Sequence, residues 1–176
     1  MKLLTLKLFF IIVYSLSSSA TYSIEHPKIK NLIIHKEAKN LSNIEFKNSN
    51  KDTITLSNYK NKLTILNFWA TWCAPCREEM PSLAKLKESK VIKNIEILPI
   101  NVGQESISKS LDFFNEININ NLNVYFDPSS KLPKTFLLRG LPTSVFINKD
   151  GKEFARIVGA VDFQDSELIE WLKKFE

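Results

Sequence analysis

The sequence predicts an α/β domain built on a mixed sheet with helices on both faces, and three observations carry the prediction. An apolar run rich in β-formers, Leu63-Thr64-Ile65-Leu66-Asn67-Phe68, leads into a helical pattern in which Met80, Leu83 and Leu86 recur on one face. A second apolar run, residues 95–102, follows that helix after a short link. Near the end, two strand-like runs flank an Asp150-Gly151 turn and precede a last amphipathic helix. Strand, helix, strand, helix, strand, strand, helix is an order that packs helices against a mixed sheet.

A length of 176 residues suits one such domain plus a targeting segment, and 44% hydrophobic residues are enough for a core. Formal net charge is +5; without Lys2 and Lys7 the basic residues exceed the acidic ones by only three. No basic stripe interleaved with aromatics is present, so nucleic acid is excluded as a partner class.

In chain order, residues 1–20 read as a secretory signal. Lys2 and Lys7 form the charged start, residues 8–16 the apolar stretch, and Ser18-Ser19-Ala20 supplies small residues before a cleavage point at Thr21. The apolar stretch is shorter than the roughly 20 residues of a spanning helix; an uncleaved anchor is the alternative. Residues 21–42 are polar and lysine-rich around Leu32-Ile33-Ile34 and read as a linker, with His26 and His35 exposed and idle. Residues 43–176 form the domain. It opens with a β-hairpin over residues 43–56, because Asn43 to Lys47 and Thr53 to Leu56 alternate around a turn-rich Asn48-Ser49-Asn50-Lys51-Asp52.

Residues 77–89 read as a helix that Pro81 kinks. Residues 95–102 read as the second core strand, with Pro99 a mild objection because proline suits an edge or a bulge. Residues 106–117 predict a helix with Ile107, Leu111 and Phe114 inward. Residues 123–126 predict a short strand, residues 132–138 a short helix and residues 153–158 the last strand. Asp165 or Ser166 caps the final helix, with Leu168, Ile169 and Leu172 inward and Lys173 and Lys174 at its negative end.

The chemistry concentrates at Trp72-Cys73-Ala74-Pro75-Cys76-Arg77, between the first core strand and its helix. Both cysteines of the chain lie here. Only a thiolate attacks a disulfide. A helix start, with its unpaired N–H groups and positive dipole end, favours an anion at Cys73. Cys76 returns beside Cys73 after almost one turn, close enough to bridge. Pro75 suits the first turn, where a missing N–H costs nothing. Cys73 is therefore expected to be the exposed nucleophile and Cys76 the buried resolving thiol. A structural zinc site lacks ligands at finger spacing, and Arg77 stands where haem attachment needs a histidine. A bridge closing so small a loop stabilises little, so the pair reads as redox chemistry rather than a staple. No metal and no cofactor beyond the redox-active Cys73–Cys76 disulfide is expected.

The string from Asn67 to Pro81, N-F-W-A-T-W-C-A-P-C-R-E-E-M-P, resembles the TlpA/ResA-like branch of the thioredoxin fold. These are secreted or membrane-tethered bacterial thiol–disulfide oxidoreductases, and the resemblance extends over residues 43–175. It implies a thioredoxin fold with an added N-terminal hairpin. It implies a cis Pro142 facing the C-x-x-C, with Leu141 and Thr143 beside it for substrate binding and the Leu141 backbone free to pair with an extended client. Trp72 becomes an exposed rim for docking, while Trp69 suits the core. Asn67 departs from cytosolic thioredoxins, which carry an aspartate at the matching place. Asn67 cannot titrate, so the proton of Cys76 needs another group. Glu79, three residues after Cys76, is the candidate, against the alternative of a solvated surface acid.

The resulting expectation is a periplasmic, monomeric enzyme that reduces disulfides in client proteins and is recharged by a membrane electron donor. By resemblance the clients belong to cytochrome c or cytochrome oxidase maturation. A disulfide-forming oxidant and a Cu(I)-binding thiol protein are the alternatives.

Overall fold

The computed structural model describes residues 26–176, and the expected signal segment 1–20 lies outside the described residues. Eight strands form one sheet: β1 Leu32–Asn40, β2 Glu45–Lys47, β3 Thr53–Thr55, β4 Leu63–Trp69, β5 Ile95–Asn101, β6 Tyr125–Phe126, β7 Thr143–Ile147 and β8 Lys152–Val158. Their order across the sheet is β1-β8-β7-β4-β5-β6-β2-β3. The pairs β4–β5 and β5–β6 are parallel and the others antiparallel, so the sheet is mixed as expected. The helices are α1 Ala74–Ser89, α2 Ile107–Glu116, α3 Leu132–Thr135 and α4 Ser166–Lys173. Among the described residues no helix is long and apolar enough to cross a membrane.

Strand β4 is buried along its whole length because it is covered on both faces. Leu63, Ile65 and Trp69 point into a core shared with Met80, Leu83 and Leu86 of α1, Phe113 and Phe114 of α2, and Leu168 and Trp171 of α4. Leu66 and Phe68, of opposite parity, enter a second core with Leu98, Phe136 and Val145. Trp69 rests against Phe113 and Phe114 at ring separations of 4.8 and 5.2 Å, which fixes α2 to the end of β4. Asn67 has the parity of the first core and so points at α1.

The stretch expected to be a linker, 21–42, instead contributes strand β1, which pairs with β8 and lengthens the sheet. The lysines that suggested a solvated tether lie on its exposed side, while Ile34 and Ala38 pack on the core. His35, expected to be idle, meets Glu153 Oε1 at 2.6 Å. Arg156 grips the same carboxylate with Nε at 2.6 Å and Nη2 at 2.8 Å, and its Nη1 donates to the Phe136 carbonyl. Burial alone would raise the Glu153 carboxyl, but Arg156 and His35 outweigh it and hold it below its ordinary value. A depressed carboxylate stabilises the fold above its unfolded pKa, and that stability is lost as pH falls through the folded value. Arg156→Met should therefore cost about 3–5 kcal/mol at neutral pH, since it leaves a buried charge without its main partner. Denaturant unfolding at pH 7 and pH 3 checks this, with the difference between variant and parent shrinking at the lower pH.

Strand β5 forms in the core as expected, and β6 joins it only at Ile100 and Asn101, so Pro99 forgoes no bond to that neighbour. Other differences from expectation have local causes. Helix α1 begins at Ala74, three residues earlier than expected, and Pro81 lies inside it. In α2 the buried stripe is Ser110, Phe113 and Phe114, and Leu111 faces outward. Strand β6 and helix α3 are both shorter than expected. The hairpin β2–β3 forms as expected, its turn held by Asn48 Oδ1, which accepts from the N–H groups of Asn50 and Asp52. Asp165 caps α4 by accepting from the Leu168 N–H.

Candidate active site

The site lies where β4 runs into α1. Cys73 is the N-cap of α1, with extended backbone angles, and its Sγ accepts from the Cys76 N–H at 3.3 Å. The Cys73 carbonyl accepts from Cys76 and Arg77, so the first turn is closed by this one residue. Cys73 and Cys76 form a disulfide with a Cα–Cα separation of 5.3 Å. Cys73 is 5% exposed and Cys76 wholly buried. The order of exposure is the expected one, but in the bridged state Cys73 is itself almost wholly buried. Trp72 beside it is 67% exposed, while Trp69 is in the core, as the sequence suggested for each.

Leu141 and Pro142 are joined by a cis peptide bond at the start of β7, next to β4 in the sheet. The Pro142 carbonyl is taken by the Gly159 N–H at 2.8 Å. Among the described residues no hydrogen bond engages the Leu141 backbone N–H or carbonyl. Thr143 departs from expectation: its side chain is buried and its hydroxyl donates to the Gly140 carbonyl, which places it out of a client's reach. It closes the turn before β7 instead.

Glu79 is 3% exposed, which removes the reading of a solvated surface acid. Its position on α1, with helical period, turns it toward the sheet. Oε1 accepts from Asn67 Nδ2 at 2.7 Å, and Oε2 accepts from the Val161 N–H at 2.8 Å. Asn67 Nδ2 also donates to Ser144 Oγ at 2.9 Å, while Asn67 Oδ1 is buried without a partner. Burial pushes the Glu79 carboxyl up to about 7, against the opposing pull of the Val161 N–H and of Asn67. Two hydrogen bonds to the anion do not offset the loss of water. Glu79 also lines a groove of about 600 Å3 between α1 and residues 160–164.

A second carboxylate was not visible as a site residue. Glu105, in the loop between β5 and α2, accepts from the backbone N–H of Thr71 at 2.8 Å, from the Thr71 hydroxyl, and from Asn101 Nδ2 at 3.0 Å. Lys109 Nζ lies 3.0 Å from its Oε1. Burial would raise this carboxyl, but the two Thr71 donors, Asn101 and Lys109 outweigh it and bring it down to about 2. The usable signal was Asn101-Val102-Gly103 at the end of a strand, where a glycine admits a close approach. A Cβ on Gly103 would lie 2.8 Å from both Ala70 Cβ and Glu105 Oε2, and 3.1 Å from Trp72 Nε1. Among the described residues, no group of three or more His, Cys, Asp and Glu side chains is gathered in a way that could hold a metal ion.

Residues 35–152 match the AhpC/TSA family. The chain is 35% identical over 121 residues to the thiol-disulfide oxidoreductase ResA of Bacillus thuringiensis subsp. konkukian, covering 69% of this chain and 68% of that protein. Its fold matches a DsbF homologue from Corynebacterium diphtheriae with a TM-score of 0.68 at 26% identity, over 85% of this chain and 96% of that one. It also matches the exposed lipoprotein thioredoxin of Streptococcus pneumoniae, with a TM-score of 0.63 at 28% identity over 74% and 98% of the two chains. A thioredoxin fold, a bridged C-x-x-C at a helix start and this degree of similarity together establish that the chain belongs to the AhpC/TSA family and is a thioredoxin-like thiol–disulfide oxidoreductase.

Proposed function

We propose that the protein works outside the cytoplasm as a reductase of disulfides in client proteins, with Cys73 as nucleophile, Cys76 as resolving thiol and Glu79 as the group that takes the Cys76 proton. The observation that carries this reading is Glu79, a buried carboxylate one helical turn beyond Cys76 with its pKa near 7. In the reduced protein the Cys73 thiolate, favoured by the start of α1, attacks one sulfur of a client disulfide. A Cys73–client bond forms and the first client thiolate leaves. Glu79, half ionised at neutral pH, accepts the Cys76 proton. The Cys76 thiolate then attacks Cys73 Sγ, the second client thiolate leaves, and two electrons have passed to the client. The proton departs from Glu79 through the groove beside Val161, and the client thiolates are protonated by solvent.

In this reading the exposed Trp72, next to Cys73 in the chain, is an aromatic platform for the client, and the unengaged Leu141 backbone is a strand-like pairing edge. The charged and apolar start of the sequence supports an extracytoplasmic location, with the chain either released or anchored. A reductase there needs recharging by a membrane electron donor, since such a compartment is kept oxidising. Clients in cytochrome c or cytochrome oxidase maturation fit the sequence resemblance.

Redox equilibration of the purified domain tests the direction of electron flow. A potential for the Cys73/Cys76 couple at or below roughly −270 mV is expected, and one near roughly −120 mV would make the protein an oxidant instead.

A further inference from the structure

Trp72 presents a physical problem. An indole with two-thirds of its surface in solvent has little packing to hold its direction, yet a docking platform beside a nucleophile is useful only if its direction is fixed. The backbone that carries it leaves the end of β4 and makes one short turn, with the Cys73 N–H donating to the Ala70 carbonyl at 3.2 Å. Residue 71 lies outside both elements and is held by neither the sheet nor the helix.

The loop after β5 supplies what is missing. Glu105 takes both donors of Thr71, the N–H and the hydroxyl, on its two carboxylate oxygens. It is fixed in turn by Asn101 Nδ2 and by Lys109 of α2. Asn101 is anchored twice more, through Nδ2 to Ser110 Oγ at 3.0 Å and by accepting the Gly103 N–H at 2.8 Å. The absence of a side chain at Gly103 lets this loop close under Ala70 and against the Trp72 indole nitrogen. A carboxylate accepting several charge-assisted bonds from one short loop is a clamp of fixed geometry.

We infer that Glu105 is a positioning residue for client docking: through Thr71 and above Gly103 it sets the direction of the Trp72 ring beside Cys73. The inference rests on Cys73 as nucleophile and Trp72 as platform, and it adds the device that makes the platform rigid. The clamp leaves the chemistry of Cys73 at the helix start intact, so it matters for a client large enough to touch Trp72 and not for a small disulfide.

The test follows the oxidation of the reduced protein, by tryptophan fluorescence, with two probes. One is a peptide containing an oxidised Cys-x-x-Cys, and the other is hydroxyethyl disulfide, which is neutral and too small to span Trp72. Glu105→Gln and Thr71→Val should each slow the peptide reaction about tenfold, the size of one lost charge-assisted hydrogen bond. Both variants should react with hydroxyethyl disulfide within about twofold of the parent, which also shows that they are folded. Thr71→Ser keeps the hydroxyl and should restore the peptide rate. In a Trp72→Ala background, Glu105→Gln should have no further effect, because both act through the same ring. Equal slowing with both probes, no slowing with either, or full additivity with Trp72→Ala would overturn the inference. A parent protein that reduces neither probe would instead take down the reading of Cys73 and Cys76 on which it rests.

Discussion

Cys76→Ser is expected to accumulate a covalent complex with its disulfide client, and Cys73→Ser to accumulate none. In the structure Cys73 is the cysteine with residual exposure, while Cys76 has none. A client disulfide therefore reaches Cys73 first. With serine at 76 nothing attacks the mixed disulfide from inside, and it persists. With serine at 73 the remaining thiol is closed off behind the first turn of α1. Each variant should lose at least about 1000-fold in turnover, because the acting sulfurs form a unit and removal of either stops the cycle. Non-reducing gels and mass measurement after mixing with a disulfide-bonded peptide read the result. Trapping by Cys73→Ser instead of Cys76→Ser would reverse the assignment of the two thiols.

Glu79→Gln carries the second large effect, and it shows in two independent measurements. The resolving step should slow by about 100-fold, the usual span for loss of a positioned proton acceptor. The parent rate should rise with pH through about 7, where Glu79 ionises, and the variant should lose that inflection. The second measurement is stability. Glu79 is raised from 4.5 to about 7 in the folded protein, so between those values the folded state holds a proton that the unfolded chain has released. Such a group weakens the fold progressively as pH rises through that window, and above about 7 the full cost is present. Relative to the parent, Glu79→Gln should therefore gain about 3 kcal/mol on going from pH 4 to pH 8. Urea denaturation at those two pH values decides it. A constant difference would mean that Glu79 titrates like a surface acid, and the proton route through it would fall.

The parts of this fold that were readable share one property: their determinants are local. The strand into Phe68, the helix start at Cys73-Ala74-Pro75-Cys76 and the Asp165 cap each depend on residues within a few positions of one another. The hairpin β2–β3 was legible for the same reason, since Asn48 organises its own turn. What escaped depends on partners far along the chain. Residues 32–40 look like a tether because polar and charged residues (His35, Lys36, Glu37, Lys39, Asn40) outnumber the apolar ones; only β8, more than a hundred residues on, turns them into a strand. His35 looked idle because Glu153 and Arg156 are equally distant. Glu105 lies 34 residues from Thr71 and nothing near it in sequence hints at the contact. Glu79 is the intermediate case. Its place on α1 was readable from the helical period, but its burial required the Val161 loop, and burial is what sets its pKa.

The pairing of β1 with β8 has a further consequence, for the order in which the chain can fold. Strand β4 also takes one of its two neighbours, β7, from the same late part of the sequence. Both halves of the sheet therefore wait for the C-terminal segment before they can be joined. Contacts of such long sequence separation impose a high entropic cost of closure and slow folding. A chain emerging N-terminus first can form the β4–α1–β5 unit early, but it cannot seal its edge or finish burying Glu79 until β7, β8 and the Val161 loop have followed. Enclosure of the acidic site thus waits on late parts of the chain, whereas the two cysteines, three residues apart, can meet before the carboxylate beside them is enclosed.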